Sequence, residues 1–473
     1  MTGSRRVSFS ILVVFVALVI TSLPSISASP PKAGSACAKQ GLTKSYQGKK
    51  FTCVKSGKKL VWSKGVAEKQ AATVSTPTPT PTPTSAPSPT TSPITVSNLS
   101  EYRASEECKL RTNLSGTAEI NQSHATRDFL KPDLTKTLRG LVFPVDFPDL
   151  QSTSSDAPSV LKRMTEDFAA FYSSQSNGKL KFEWTIVQKY TRLDKTISSF
   201  GVGRYNSFSN SQNYWMLNYA FQDLALKTYK RGDFDFFIAV SPEDTSEDLI
   251  ATSPAFHTKD AKYWPGNWLG GDYWRDERKW FYPVHEFGHY VLGLDDLGSP
   301  ASMAGISTTK PMGHYDLMNT QAGPELTSWN RWIGGLIEDT QILCLPNTTT
   351  VSLLKPIEEV NNEVKGLVIP LSNSKVLVIE NRAAIGFDAN MPSTSVGVIA
   401  YSVDVSVPRS QVPMRLVREP ASPVDEWNQQ RGGVVTPRID ALKGGESLTF
   451  SGYQVKVIGS SGKSMYVEVK KIN

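Results

Sequence analysis

Between residues 73 and 98 the chain reads TVSTPTPTPTPTSAPSPTTSPITVSN, and no other segment limits its folding as strongly. Each proline restricts φ and removes a backbone donor, so the segment is held near polyproline II as a solvated, semi-rigid spacer that buries no core. A chain of 473 residues therefore cannot share one core from end to end. Its length is that of about two to four folding units, and the spacer, taken as residues 67–98, divides a short N-terminal part from the remainder.

The chain opens with a basic flank, MTGSRRVSFS, and an apolar run, ILVVFVALVI, followed by the polar TSLPSISAS. That order is a signal peptide, residues 1–29, with cleavage near Ala28; an uncleaved membrane anchor is the competing reading. Arg5 and Arg6 point weakly to a twin-arginine signal, but the strongly apolar run fits the general secretory route better. Cys37 lies in GSAC, where Gly34 occupies the place at which a lipidation box needs leucine. The expected location is secreted, in association with the cell wall.

Residues 30–66 form a small basic module. From Lys32 to Lys64 it carries nine lysines and no acid, whereas the formal net charge of the whole chain is +7. The positive charge is thus concentrated here, and it attracts polyanions by Coulomb steering. For an exported chain these are anionic wall polymers or lipid head groups, not nucleic acid; a merely soluble lysine-rich module is the plainer alternative. The four cysteines, Cys37, Cys53, Cys108 and Cys344, are an even number in an exported chain, which implies two disulfides. The spacer favours Cys37 with Cys53 and Cys108 with Cys344. The rival for Cys108 is a thiolate that plugs a zinc site.

Beyond the spacer, GLVFPVDF (140–147) predicts a buried strand. Val160, Leu161, Met164, Phe168, Phe171 and Tyr172 recur at helical spacing, and Leu180, Phe182, Trp184 and Ile186 alternate as a strand does. A second helix over 214–229 and a strand over 234–240 complete an α/β layer. From about residue 346 the pattern becomes VKGLVIPL, KVLVIENR, VGVIAYSVDVSV, YQVKVIG and SMYVEVKK between turn residues, an all-β part over 346–473. The fold class expected is α+β.

Residues 285–296 read HEFGHYVLGLDD. On a helix, positions i and i+4 lie on one face, so His285 and His289 can offer two imidazoles to one zinc ion, with Glu286 as general base for a zinc-activated water. In a chain with five histidines the spacing can also arise by chance. Context argues otherwise: Phe281, Val284, Phe287, Val291 and Leu292 predict a largely buried helix, where polar groups are costly unless something satisfies them. Gly293 tolerates positive φ and can turn the chain so that Asp295 or Asp296 becomes the third ligand. Counting six residues on from His289 selects Asp295; counting three on from Gly293 selects Asp296, which is preferred.

HEFGHYVLGLDDL, followed by HYDLMNTQAGPELTSWNRWIGGLI (314–337), resembles the M6 family of secreted bacterial zinc metallopeptidases, the immune inhibitor A group of metzincin-like zincins. That family shows HExGHxLGLPDxY, a D-[LI]-M segment, and a helix of the form L-x-x-W-x-K-x-x-LGW. The likeness extends to GLVFPVDFPDL (140–150), FYSSQSNGKLKF (171–182) and VIENRAAIGFDANMPSTSVGVIAYSVD (378–404), so that it covers about residues 139–470. It implies a zincin-like catalytic domain over 99–345, zinc on His285 and His289, Glu286 as base, and Met318 as a methionine turn beneath the metal. It also allows calcium at the acidic stretch SPEDTSED (241–248), for which a solvated loop is the plainer account. Two departures stand out. One extra residue separates His289 from Gly293, and Asp295 replaces the family's proline. No tyrosine stands two residues after Met318, so a donor to the transition state must come from elsewhere; His314 and Tyr315 are candidates, both better read as structural. Met318 on its own reads as core, and Leu326, Trp329, Trp332, Ile333 and Leu336 read as a packing face.

The expectation is thus an exported, monomeric zinc endopeptidase acting on proteins or peptides. A catalytically silent surface-binding or adhesion protein on a metallopeptidase fold is the alternative, and a metal amidase of wall peptide cross-links a further one.

Overall fold

The computed structural model describes residues 33–67 (apart from 38–39, 41, 47–48 and 58), 93–110, 133–201 (apart from 154), 211–242, 253–255, 265–275, 280–294, 297, 311–319 (apart from 314), 324–406, 413–417 and 441–472. The signal segment, most of the spacer, and residues 243–248 of the acidic stretch lie outside them. Two compact units emerge, Met1–Thr91 and Ser92–Asn473.

In the first unit, β1 (Thr43–Tyr46), β2 (Lys49–Ser56), β3 (Lys59–Trp62) and β4 (Val66–Ala67) make an antiparallel sheet in which β1, β3 and β4 all pair with β2. Among the described residues its core is Phe51, Cys53 and Trp62, with Cys37 and Leu60 packed alongside. So small a core needs a staple, and Cys37–Cys53 supplies it. Lys55, Lys59 and Lys64 are exposed.

The second unit begins its α/β layer with β5 (Thr137–Asp146), α1 (Ala157–Gln175), β6 (Lys181–Ile186), β7 (Thr191–Arg192), α2 (Ser211–Ala225), β8 (Phe236–Val240), β9 (Ser253–Ala255) and β10 (Gly266–Leu269). The sheet order is β6-β5-β8-β10-β9, with β7 on β5; neighbours run parallel except the antiparallel edge strand β9. Strand alternation sends Phe236, Ile238 and Val240 to one face with α1, and Phe237 and Ala239 to the other with α2. On α1 the buried Leu161, Met164, Phe168, Phe171, Tyr172 and Gln175 form one stripe. The helix ends where Asn177 and Gly178 take left-handed φ of 54° and 76° and the Gly178 N–H returns to the Ser173 carbonyl at 2.7 Å.

Short α3 (Gly271–Arg275) leads to α4 (Phe281–Tyr290), which lies on the α1 face of the sheet, and later comes α5 (Ser328–Ile333). The rest is β: β11 (Ile342–Cys344), β12 (Thr350–Leu354), β13 (Gly366–Pro370), β14 (Lys375–Arg382), β15 (Gly397–Asp404), β16 (Met414–Leu416), β17 (Ser447–Phe450), β18 (Tyr453–Ser461) and β19 (Ser464–Lys471). They form two sheets, β11-β13-β14-β15-β16 and β12-β19-β18-β17. Leu377 and Ile379 face the second sheet, while Val376 and Val378 join the core that contains α1, α4 and α5. A strand buried on both faces must be apolar throughout, which accounts for the unbroken VLVI of β14. The fold is mixed α+β. Among the described residues no helix is long and apolar enough to cross a membrane.

Where α1, α5 and β14 meet, the core holds ions. Arg382 is fully buried and contacts Glu380 at 2.9 Å, Glu358 at 2.9 Å and Asp388. The Glu358 contact brings the charges together without an aligned hydrogen bond, since its Oε1 and the Arg382 Nε have no hydrogen-bonding partner. Burial pushes the Glu358 carboxyl well above its usual range, against the pull of Arg382. Arg331 pairs with Glu325, which also accepts from Gln175 Nε2 at 2.7 Å.

Removing one partner of a buried ion cluster strands the others, so Arg382→Met is expected to lower stability by about 3–5 kcal/mol. The check is a fall in the urea midpoint at unchanged m-value; a loss under about 1 kcal/mol would mean that water reaches the cluster.

Candidate metal centre

Helix α4 has no side-chain N-cap, and Pro283 sits in its first turn, where a missing N–H costs nothing. Phe281, Val284, Phe287, Val291 and Leu292 are buried, as the spacing predicts, and so are Tyr290, His285, at 2% exposed, and Glu286, at 4%; His289 is half-buried. The Tyr172 hydroxyl of α1 donates to the Val284 carbonyl at 2.6 Å and ties the helix to its neighbour. Gly293 takes φ 72°, and the Leu294 N–H returns to the Gly288 carbonyl at 2.9 Å. The turn expected at this glycine is present.

That turn positions a ligand. The Leu294 carbonyl lies 2.8 Å from His289 Nδ1, and the Leu317 carbonyl lies 3.2 Å from His285 Nδ1. A carbonyl only accepts, so in each ring Nδ1 is the protonated nitrogen and Nε2 is the ring's acceptor atom. The two Nε2 atoms face each other at 3.1 Å. Two lone pairs at that distance repel unless a positive charge, a shared proton or a cation, lies between them. A tetrahedral ion at about 2.0–2.1 Å from each nitrogen would separate them by about 3.3 Å, close to what is found. The donor set therefore fits zinc, a cation suited to imidazole.

The segment 315–319 closes the site from below. Met318 is buried, and a Cβ placed on Gly288 would lie 2.8 Å from its Sδ, so α4 and Met318 meet closely and any larger residue at 288 would have to displace the end of the methionine side chain. The Met318 carbonyl accepts from Leu297 N at 2.9 Å, which fixes the chain directly after residues 295–296. Asp295 and Asp296 themselves lie outside the described residues, as does His314. Among the described residues no group of three His, Cys, Asp or Glu side chains gathers around one point. Tyr315 is fully buried and donates to the Ser395 carbonyl at 2.8 Å, the structural role preferred for it. Cys108 is bonded to Cys344 and Cys37 to Cys53, the pairing expected.

Asp316 went unremarked in the sequence, although it stands inside the D-L-M segment. It is fully buried at φ 75°, a conformation aspartate tolerates, and its carboxylate accepts four hydrogen bonds. Burial raises its pKa and those bonds, chiefly from Thr327, oppose the rise.

Gly288→Ala should cost about 1–3 kcal/mol by overpacking against Met318. Combined with Met318→Ala the loss should fall short of the sum of the two single losses by at least about 0.5 kcal/mol; strict additivity in a denaturation cycle would refute the contact. Compared with protein-family models, the chain matches none, and no curated protein matches it.

Proposed function

We propose that this chain is an exported zinc-dependent endopeptidase with a zincin-like catalytic domain. One observation carries the reading: His285 and His289, one helical turn apart, have both Nδ1 atoms committed to backbone carbonyls and both Nε2 atoms turned to a common point, with Glu286 beside them on the same buried helix. Those two Nε2 atoms would hold the metal, Asp296 or else Asp295 would supply the third ligand just beyond the Gly293 turn, and Met318 would support the group from below. Zinc bound there supplies a Lewis acid that polarises a carbonyl and acidifies water.

The chain's own residues do the rest. The Leu294 and Leu317 carbonyls keep both imidazoles in the ligating tautomer. Glu286 accepts the proton of the attacking water as its oxygen adds to the peptide carbonyl carbon, and delivers that proton to the leaving amine as the C–N bond breaks. Burial of Glu286 among Val284, Phe287 and their neighbours limits competing water. Two disulfides suit an oxidising, extracellular setting. The lysine-rich unit, with no acid between residues 31 and 65, would hold the enzyme on anionic wall polymers.

Glu286→Gln should leave zinc content at about one per chain and reduce casein hydrolysis by about 10²–10⁴-fold. Zinc retained with no hydrolysis by either form would favour the silent adhesion protein; no zinc in the unaltered protein would sink the catalytic reading. Deleting residues 31–65 should abolish co-sedimentation with cell walls at low salt and leave casein hydrolysis intact. Equal sedimentation of the two forms would remove the attachment role.

A further inference from the structure

The floor of the site hangs on one carboxylate. Asp316 Oδ1 accepts from Met318 N at 2.8 Å, closing a turn over Leu317, and Oδ2 accepts from Thr327 N at 2.8 Å, Thr327 Oγ1 at 2.7 Å and Asn330 Nδ2 at 2.9 Å. Thr327 is the N-cap of α5, its own side chain accepting from Asn330 N at 3.3 Å, so the carboxylate bolts the turn to the start of that helix. The helix in turn is held by Glu380 of β14, which accepts from Ser328 N at 2.7 Å and Ser328 Oγ at 2.6 Å. The turn then touches α4 and its continuation at three places: the Leu317 carbonyl at His285 Nδ1, Met318 under Gly288, and the Met318 carbonyl at Leu297 N.

We propose that Asp316 is a positioning residue for the metal centre, setting the Leu317 carbonyl that orients and tautomerically locks His285, and through Met318 the chain just beyond the two candidate aspartates. The proposal rests on the zinc reading only for its consequence on affinity; its geometric half holds for the metal-free protein. His289 provides a built-in comparison, because its Nδ1 is held by the Leu294 carbonyl, whereas that of His285 is held by a carbonyl of the turn itself. An aspartate serving stability alone would leave both imidazoles alike on substitution.

The test uses the full-length chain with 15N-labelled histidine, the His285 signals being assigned with a His285→Gln variant. In Asp316→Asn one acceptor oxygen becomes an amino group facing a donor, either the Met318 N–H or those of Thr327 and Asn330, so the fourfold acceptance is lost. The Nδ1–H signal of His285 in the metal-free protein is expected to disappear into solvent exchange while that of His289 persists. Chelator competition should show zinc bound about 10–100-fold more weakly. Unaltered His285 signals together with unaltered zinc affinity, with only the melting temperature lowered, would overturn the proposal. Should Asp316→Asn fail to fold, Thr327→Val removes one of the four bonds and keeps the carboxylate; it is expected to weaken zinc several-fold and broaden the His285 signal alone, and no change in either would equally overturn the role. Zinc bound by none of the proteins, the unaltered one included, would dispose of the peptidase reading, and the histidine signals would still decide what Asp316 does.

Discussion

Arg382 sits where three parts of the second unit converge, and their joint geometry depends on its charge. A guanidinium buried with Glu380, Glu358 and Asp388 is tolerable only while all four groups keep their places, because any one left alone in so dry a setting loses several kcal/mol of solvation that nothing returns. Glu380 passes that rigidity to the first residue of α5, and Gln175 and Arg331, meeting on Glu325, pass it to α1. With Glu325 included, the acids outnumber the two arginines, and burial, with Asp388 and Glu325 nearby, raises the Glu358 pKa against the pull of Arg382. Apolar packing alone would let these layers slide; a directional ionic junction sets one register.

The candidate metal centre inherits this rigidity at one remove. Its two imidazoles are oriented by backbone carbonyls, which cannot rotate as side chains do, and those carbonyls lie in turns fixed by Gly293 on one side and Asp316 on the other. Positive φ is free of strain at Gly293, which has no Cβ, but at Asp316 it stores a little conformational energy that the surrounding bonds hold. The site is therefore built mainly by two turns and a helix end, with the helix interior supplying the spacing.

Much of the framework was legible in the sequence because it follows from periodicity. The strand at 140–147, the helix through Phe168, and the alternation of the C-terminal strands are what one buried stripe or face requires. Periodicity reports burial and not element length, however. Leu326 and Leu336 are as buried as Trp329 and Trp332, yet α5 spans only Ser328–Ile333, since Thr327 caps it and Gly335 turns left-handed at φ 76°. Likewise α2 stops at Ala225 although its pattern runs on to Tyr229. At the site, His285, Glu286 and His289 were readable from spacing on a single helix. The role of Asp316 was not, because its partners Thr327 and Asn330 lie 11 and 14 residues away, at spacings that follow no strand or helix period. Nor was the Arg382 junction, whose members stand between positions 325 and 388 with no common period.

The Cys108–Cys344 bond joins cysteines 236 positions apart and closes a loop that contains the entire α/β layer, the histidine pair and the turn beneath it. Seen as a covalent graph, this part of the chain is a ring with two tails, the stalk leaving from one side of the bond and the β-rich strands from the other. A single cut anywhere on that ring, by the protein itself or by a neighbour, releases no fragment. The halves of the site stay at the high effective concentration that a shared covalent frame enforces, and only a reducing step would let them part.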